Sequence, residues 1–118
     1  MREAEINFCP NASMIYHRTS GRSGEPKYCI RTIKGLLTEG VSYQKSLQLC
    51  DKDKIYCVLP LYHSYALGIA CMTMVTTGSL LILRSVFNYR ARLHDIRNYR
   101  PDIVPIVSAI ARNLSELY

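Results

Sequence analysis

The chain has 118 residues, 48% of them hydrophobic, which suits one globular domain and excludes two domains of ordinary size. Only 20% of the residues are charged, so the chain lacks the low hydrophobicity and high net charge that keep a segment disordered. Fifteen Lys and Arg against nine Asp and Glu give a net charge of +6, which suits nucleic acid, anionic membrane or phosphorylated ligands without choosing among them. An ordinary basic surface explains the charge more simply.

The first half of the chain alternates apolar runs with polar turns. A strand predicted over residues 12–16 leads into a loop over residues 19–27 that is dense in Gly, Ser, Thr and Pro. A second strand is predicted over Tyr28–Thr32, and a helix over residues 41–49. A polar turn then precedes a strand over residues 55–59, whose β-branched and aromatic residues stop at a proline.

The second half continues the alternation. A mostly apolar helix is predicted over residues 66–75 and a strand over Leu80–Leu83. A polar helix follows over Tyr89–Tyr99, with Asn88 as its N-cap, and a short strand over residues 102–106 comes next.

A last helix is predicted near the C-terminus. Ser108 can cap it, and Ile110, Leu114 and Leu117 recur at the i, i+4, i+7 spacing of one helix face. The whole pattern predicts an α/β chain, whose alternating strands and helices form part of a mostly parallel sheet covered by helices. We expect this to be an incomplete domain.

The uncharged run over residues 55–83 is long enough to suggest a transmembrane segment. It is interrupted at Pro60, by polar residues at 62–65, and again at 76–79. Short apolar runs of this kind are typical of buried parallel strands, so strand, helix, strand is the preferred interpretation and no transmembrane segment is predicted.

The five cysteines are odd in number and scattered, without a C-x-x-C pair or histidines at zinc-site spacing. This favours reduced structural thiols in a cytoplasmic protein and predicts no metal site. Asn11 and Asn113 begin N-x-S sequons, but the N-terminus lacks the apolar core of a signal peptide, so glycosylation is not expected.

The loop over residues 19–27 has the composition of a polyphosphate clamp. Glycines let backbone N–H groups approach an anion, hydroxyls donate further hydrogen bonds, and a lysine adds positive charge. The loop fits neither the Walker pattern nor the dinucleotide pattern, and taken alone it is more often a surface turn. Its candidate contacts are Thr19, Ser20, Gly21, Arg22, Ser23, Gly24 and Lys27.

The complete string TSGRSGEPK resembles the signature loop of the adenylate-forming, or AMP-binding, enzyme superfamily. That superfamily includes acyl- and aryl-CoA ligases, fatty acyl-AMP ligases, luciferases and the adenylation domains of peptide synthetases. Downstream, PLYHSYALG resembles the next family motif, an aromatic, His-containing turn after a strand. The resemblance extends from Ala12 to the end of the chain.

The resemblance implies an enzyme that joins a carboxylate to the α-phosphate of ATP, expels pyrophosphate, and passes the acyl group to a thiol such as coenzyme A. The loop residues named above would hold the β- and γ-phosphates, with Mg²⁺ bound through ATP. Tyr62, His63 and Tyr65 would line the approach of the carboxylate, although an aromatic turn packed under the sheet explains them equally well. No catalytic residue is assigned.

Two positions depart from the family pattern: Arg22 replaces a small hydroxyl residue, and Tyr28 replaces a glycine that would allow positive φ. The adenine-binding T-E motif, the ribose-binding Asp and the lid lysine of the family have no match. We therefore expect residues 1–118 to be a fragment of the N-terminal domain of an AMP-dependent synthetase or ligase, inactive alone.

Other interpretations stay open. The chain could be a non-catalytic remnant or binding module that keeps the phosphate loop, or a fragment of a peptide-synthetase adenylation domain. A basic membrane-associated protein is a more distant alternative.

His17 and His94 are expected at the surface. The arginines from Arg84 to Arg100 fit the solvated face of a helix, so no nucleic-acid partner is predicted.

Overall fold

A computed structural model describes residues 14–18, 24–25, 27–84 and 88–115. The predicted α/β class is confirmed. The strands are β1 (Met14–Arg18), β2 (Tyr28–Thr32), β3 (Lys54–Cys57) and β4 (Leu80–Leu83). The helices are α1 (Ile33–Leu47), α2 (Ser64–Ala66), α3 (Thr73–Thr77), α4 (Tyr89–Tyr99) and α5 (Ser108–Ser115). A π-helical segment, Leu67–Met72, joins α2 to α3.

β1 and β2 pair with each other as an antiparallel hairpin, separate from the parallel strands. The strand predicted over residues 12–16 is displaced: β1 extends two residues further, to Arg18, and residues 12 and 13 lie outside the described part of the chain. Arg18 lies opposite Tyr28 at one end of the hairpin. The loop over residues 19–27 therefore joins the two hairpin strands.

α1 begins at Ile33, so the prediction of a helix start at residue 41 is wrong. Thr32 caps the helix, because its Oγ1 accepts a hydrogen bond of 3.0 Å from the N–H of Gly35. Gly35 and Gly40 lower the helix propensity of this first half. The cap and the burial of Gly40 against the neighbouring helix outweigh that cost.

β3 and β4 pair in parallel, as predicted. Lys54 lies opposite Leu80, and Cys57 lies opposite Leu83. The predicted bounds of 55–59 are shifted, since β3 starts one residue earlier and ends two residues earlier. The carboxyl ends of the two strands therefore lie side by side.

The strand predicted over residues 102–106 is reduced to a single parallel bridge between Ile103 and Ile55. The N–H of Tyr56 donates to the Ile103 carbonyl at 2.8 Å. The next bond of a parallel ladder would need an N–H at Pro105, which proline lacks. The third strand therefore stops after one bridge.

The helix predicted over residues 66–75 is longer than expected, because helical backbone runs from Ser64 to Thr77. Its middle is π-helical, and Thr73 Oγ1 donates back to the carbonyl of Gly68 at 3.3 Å. Within the described ranges, no helix is long and apolar enough to cross a membrane.

The parallel strands are covered on both faces. Alternate residues of β3 point to opposite sides of the sheet, and each side packs against helices. The first cluster contains Ile55, Cys57, Ala66 and Ala70, with Leu81 packed against it. The second contains Tyr56, Val58 and Ile110, with Ile82, Ile96 and Val104 packed against it.

α4 begins at the predicted residue, whereas Ser108, predicted as the cap of the last helix, is the first residue of α5. Asn88 caps α4, because its Oδ1 accepts hydrogen bonds from the backbone N–H groups of Arg90 at 3.1 Å and Ala91 at 3.4 Å. α5 begins at Ser108, and Ile110 is buried as predicted. The Leu114 side chain and Leu117 fall outside the described part.

Candidate functional site

The predicted phosphate loop leaves β1 after Arg18 and enters β2 at Tyr28. Gly24, Glu25 and Lys27 are described, and all three are exposed. Gly24 has a φ of +147°, and a Cβ built on it meets nothing within 4 Å. Its backbone conformation favours glycine and is open to solvent, which suits close approach of an anion. The other predicted phosphate contacts, Thr19, Ser20, Gly21, Arg22 and Ser23, lie outside the described residues.

Tyr28 occupies an ordinary strand position. It pairs with Arg18 in the hairpin, and its side chain is exposed. Among the described non-glycine residues, positive φ occurs at Gln48 and Arg100. Tyr28 therefore carries none of the backbone strain that a tyrosine in place of a glycine suggested.

The aromatic turn, residues 60–63, follows β3. The N–H of His63 donates to the carbonyl of Pro60 at 3.0 Å, which closes the turn. The rings of Tyr62 and His63 lie 4.5 Å apart, tilted by 47°. Both side chains are exposed, with Tyr62 at 71%, so the turn is not packed beneath the sheet.

Tyr65 is the second residue of α2 and lies close enough to α1 to affect Tyr43 there. Burial raises the pKa of Tyr43 on α1, and the nearby Glu39 and Tyr65 raise it further. Glu39 forms an ion pair with Arg31 of β2. Tyr65 thus lies near the polar groups through which α1 contacts the hairpin.

His17 links the two sequence motifs. Its Nε2 donates a hydrogen bond to the backbone carbonyl of Tyr62, 45 residues along the chain. The prediction that His17 is a surface residue is wrong, since its ring is partly buried in this contact. His94, in contrast, is exposed on α4, as predicted. The end of β1, from which the predicted phosphate loop departs, is therefore hydrogen-bonded to the aromatic turn.

A cleft of about 380 Å³ opens where β3 and β4 end. Ligands of open α/β sheets bind in the crevice beyond the carboxyl ends of the strands, so this is the expected location of a site. Of the three predicted pocket residues, Tyr62 lines the cleft, and His63 and Tyr65 do not. The lining residues are Cys57, Val58, Leu59, Pro60, Leu61, Tyr62, Leu83 and Arg84.

Arg84, the cation in this lining, is held by a buried carboxylate. Its Nε and Nη2 donate to the two oxygens of Asp95, at 2.6 and 2.9 Å, and Tyr56 Oη donates to Asp95 at 3.0 Å. The hydrogen bond from Arg84 lowers the pKa of Asp95. Burial, followed by the bond to Asp95, raises the pKa of Tyr56 to about 12. Arg84 is thus fixed at the sheet edge and does not belong to a solvated helix face.

Sequence reasoning missed His17, Tyr56 and Asp95, and it misplaced Arg84. The position of Arg84, directly after an apolar strand, was the available signal, because strand ends are where α/β sheets place polar groups. Asp95 lies in a charged helix, and nothing in the spacing distinguishes it from solvated neighbours.

Comparison with known proteins establishes the family. A family model described as AMP-binding enzyme matches residues 7–118, so the chain belongs to the AMP-binding enzyme family. The enzyme 4-coumarate–CoA ligase 2 of Nicotiana tabacum is 30% identical over 118 residues, covering 92% of this chain and 22% of the ligase. The enzyme 4-coumarate–CoA ligase 3 of Arabidopsis thaliana is 35% identical over 104 residues, covering 80% of this chain and 18% of the ligase.

Solved structures agree with this fold. O-succinylbenzoate coenzyme A synthetase of Bacillus subtilis, in complex with ATP and magnesium ion, matches with a TM-score of 0.77 at 27% identity, covering 86% of this chain and 21% of that one. The same enzyme in complex with its acyl-adenylate intermediate matches with a TM-score of 0.76, also at 27% identity. The match covers 86% of this chain and 26% of that one. The chain spans about a fifth of the length of the curated relatives it matches.

Proposed function

We propose that the chain is part of an ATP-dependent carboxylate-activating enzyme that forms an acyl-adenylate and transfers the acyl group to coenzyme A. Coenzyme A is the proposed acceptor because the named relatives are CoA ligases and a CoA synthetase. Residues 1–118 would be a fragment of its N-terminal domain. The four described cysteines are free thiols, which suits the reducing cytoplasm.

The observation that carries the proposal is the meeting of the two motifs. His17, near the end of β1, forms a hydrogen bond to the backbone of Tyr62, and Tyr62 lines the cleft at the carboxyl end of β3. Adenylation requires the phosphates of ATP and the carboxylate to be held beside each other, since most of its acceleration comes from positioning and charge stabilisation. A loop and a cleft joined by a hydrogen bond meet that requirement.

In this proposal the loop binds the β- and γ-phosphates of ATP. Gly24 offers an open backbone to the anion, and Lys27 at the end of the loop adds positive charge. The proposed phosphate contacts are Thr19, Ser20, Gly21, Arg22, Ser23, Gly24 and Lys27. Mg²⁺ would arrive with ATP, as in the magnesium complex of the structural relative.

The cleft favours a carboxylate with an apolar body. Its lining is mostly apolar, with Arg84 at one edge, and Tyr62 offers an aromatic surface. His63 does not line the cleft, but its ring contacts that of Tyr62, so in this proposal the two residues together would receive the carboxylate. Tyr65 would act indirectly, by supporting α2 against α1.

We further propose that residues 1–118 do not complete adenylation on their own, because they match about a fifth of each relative. Pyrophosphate exchange with apolar and aromatic acids should then stay at background for this chain. A chimera in which residues 1–118 replace the matching segment of the tobacco ligase should exchange pyrophosphate.

Lysine variants of that chimera test the loop. Lys27→Ala should lower exchange about 10²–10³-fold, as loss of one charge-stabilising group does, whereas Lys34→Ala on the exposed surface of α1 should not. A folded chimera without exchange would instead favour a non-catalytic binding module. Exchange by the 118-residue chain alone would contradict its dependence on further residues.

A further inference from the structure

His17 occupies a distinctive place in the hairpin. It lies opposite Cys29 in β1, on the strand face opposite to the exposed side chains of Tyr16 and Ile30. From there its ring reaches the carbonyl of Tyr62. A strand residue one position before the end of β1 thus contacts the wall of the cleft.

The surroundings of the ring fix its hydrogen-bonding state. Nε2 faces a carbonyl oxygen, which only accepts, so Nε2 carries the proton. Nδ1 is buried and has no hydrogen-bond partner within the described residues. A proton on Nδ1 would be a buried donor without an acceptor, which is costly. The geometry therefore assigns to Nε2 the proton that meets the Tyr62 carbonyl.

The hydrogen bond connects two segments that each lead to a proposed ligand. Only Arg18 separates His17 from the phosphate loop, so the imidazole holds the strand end from which the loop departs. Tyr62 lines the cleft, and its ring contacts that of His63 at a tilt of 47°. A shift of either segment changes the same hydrogen bond.

We propose that His17 is a positioning residue that couples the phosphate loop to the aromatic turn, so that an anion bound in the loop alters the turn. This inference rests on the proposed function, because it assumes that the loop binds phosphate. Coupling between two sites requires a physical connection whose state both sites influence, and this hydrogen bond supplies one.

The test uses inorganic pyrophosphate and the 118-residue chain, with backbone amide chemical shifts as the readout. In wild-type protein, pyrophosphate should shift the amides of Gly24 and Lys27 and also those of Tyr62 and His63. His17→Leu should lose the shifts in the turn while keeping those in the loop.

Conservative and control variants separate coupling from general damage. His17→Gln places an amide donor at the same number of bonds from the backbone and should restore the turn shifts. His94→Leu, which removes a histidine from the exposed surface of α4, should leave both sets of shifts unchanged. The imidazole nitrogen shifts of wild-type His17 should report a proton on Nε2, a measurement that does not depend on any variant folding.

The outcomes are distinct. Absence of loop shifts in every protein would overturn the proposed phosphate loop, and the inference with it. Loop shifts accompanied by undiminished turn shifts in His17→Leu would overturn the coupling alone. A wild-type His17 with its proton on Nδ1 would also overturn it.

Discussion

Gly40 of α1 lies directly against the backbone of Met72, at the end of the π-helical segment. A Cβ on Gly40 would stand 2.5 Å from the Met72 carbonyl oxygen and 2.7 Å from its carbon. Atoms of a helix backbone cannot move aside as the tip of a flexible side chain can. Close packing of α1 on the helix that follows the aromatic turn therefore depends on glycine at this position.

Gly40→Ala should accordingly destabilise the fold by about 1–3 kcal/mol, the usual cost of overpacking, despite the better helix propensity of alanine. Urea denaturation measures the change. Gly35→Ala in the same helix is the matched control, because its Cβ would meet only Thr32 Oγ1, at 3.1 Å. The control should lie within about 1 kcal/mol of wild type. Equal effects of the two substitutions would contradict the close-packing explanation.

The free energy of unfolding should fall in alkaline solution, because Tyr56 then loses its phenolic proton. Its pKa is raised from 10.0 to about 12, so the folded state holds the phenolic proton more tightly than the unfolded state. The resulting stabilisation is present below pH 10 and disappears as the pH rises toward 12. It amounts to roughly 2–3 kcal/mol.

Tyr56→Phe tests this dependence through urea denaturation at stepwise pH. At neutral pH the variant should lose about 1–2 kcal/mol with its hydrogen bond to Asp95. The difference from wild type should shrink as the pH rises. Tyr62→Phe, whose ring is exposed, should follow the wild-type profile. A constant difference across the alkaline range would argue against a raised Tyr56 pKa.

The sequence predicted the order of the elements well where local signals decide them. Leu80–Leu83 and Tyr89–Tyr99 have the predicted bounds, because an apolar run and an Asn88 cap are visible locally. The start of α1 was missed, since the sequence does not show that Gly40 is required by close contact with Met72. Pairing of β1 with β2 was not predictable from either strand alone.

Arg84 should control the ionisation of Asp95. Its hydrogen bond lowers the pKa of Asp95, so this stabilisation is present above the ordinary carboxyl pKa and is lost as pH falls through the depressed value. Arg84→Met should raise the pKa of Asp95 and move acid unfolding to higher pH. Carboxyl chemical shifts followed through a pH titration measure the change directly.

Arg97→Met is the control for Arg84→Met, because Arg97 lies in the last turn of the same helix as Asp95 and is exposed. It should leave the titration of Asp95 nearly unchanged. Similar shifts of the Asp95 pKa in both variants would indicate a general effect of net charge, with no special role for the paired guanidinium.

The candidate site was predictable only as separate motifs. Residue strings identified the loop and the aromatic turn, because a phosphate clamp and a strand-end turn each need particular residue types close together in sequence. The contact between His17 and Tyr62 joins residues 45 positions apart and has no local signature. Tyr65 was grouped with Tyr62 by proximity in sequence, although it does not line the cleft and lies near Tyr43 of α1.

Gly24 should set the affinity of the loop for pyrophosphate. Its φ of +147° is rarely adopted by residues with a Cβ, although the space around it is open. Gly24→Ala therefore introduces backbone strain without a steric clash, at a cost of about 1–2 kcal/mol if the bound loop keeps this conformation. Pyrophosphate affinity measured by calorimetry should fall about tenfold.

Glu25→Ala provides the comparison, because Glu25 is the exposed neighbour of Gly24 and carries a negative charge that opposes anion binding. Its removal should leave the affinity unchanged or increase it slightly, and any increase should fade at high salt, because salt screens an exposed charge. Wild-type affinity in Gly24→Ala would mean that the bound loop does not use the backbone conformation found at Gly24. A loss in Glu25→Ala as large as that in Gly24→Ala would mean that the loop responds to any change in its side chains, and glycine would then have no special place in the phosphate clamp.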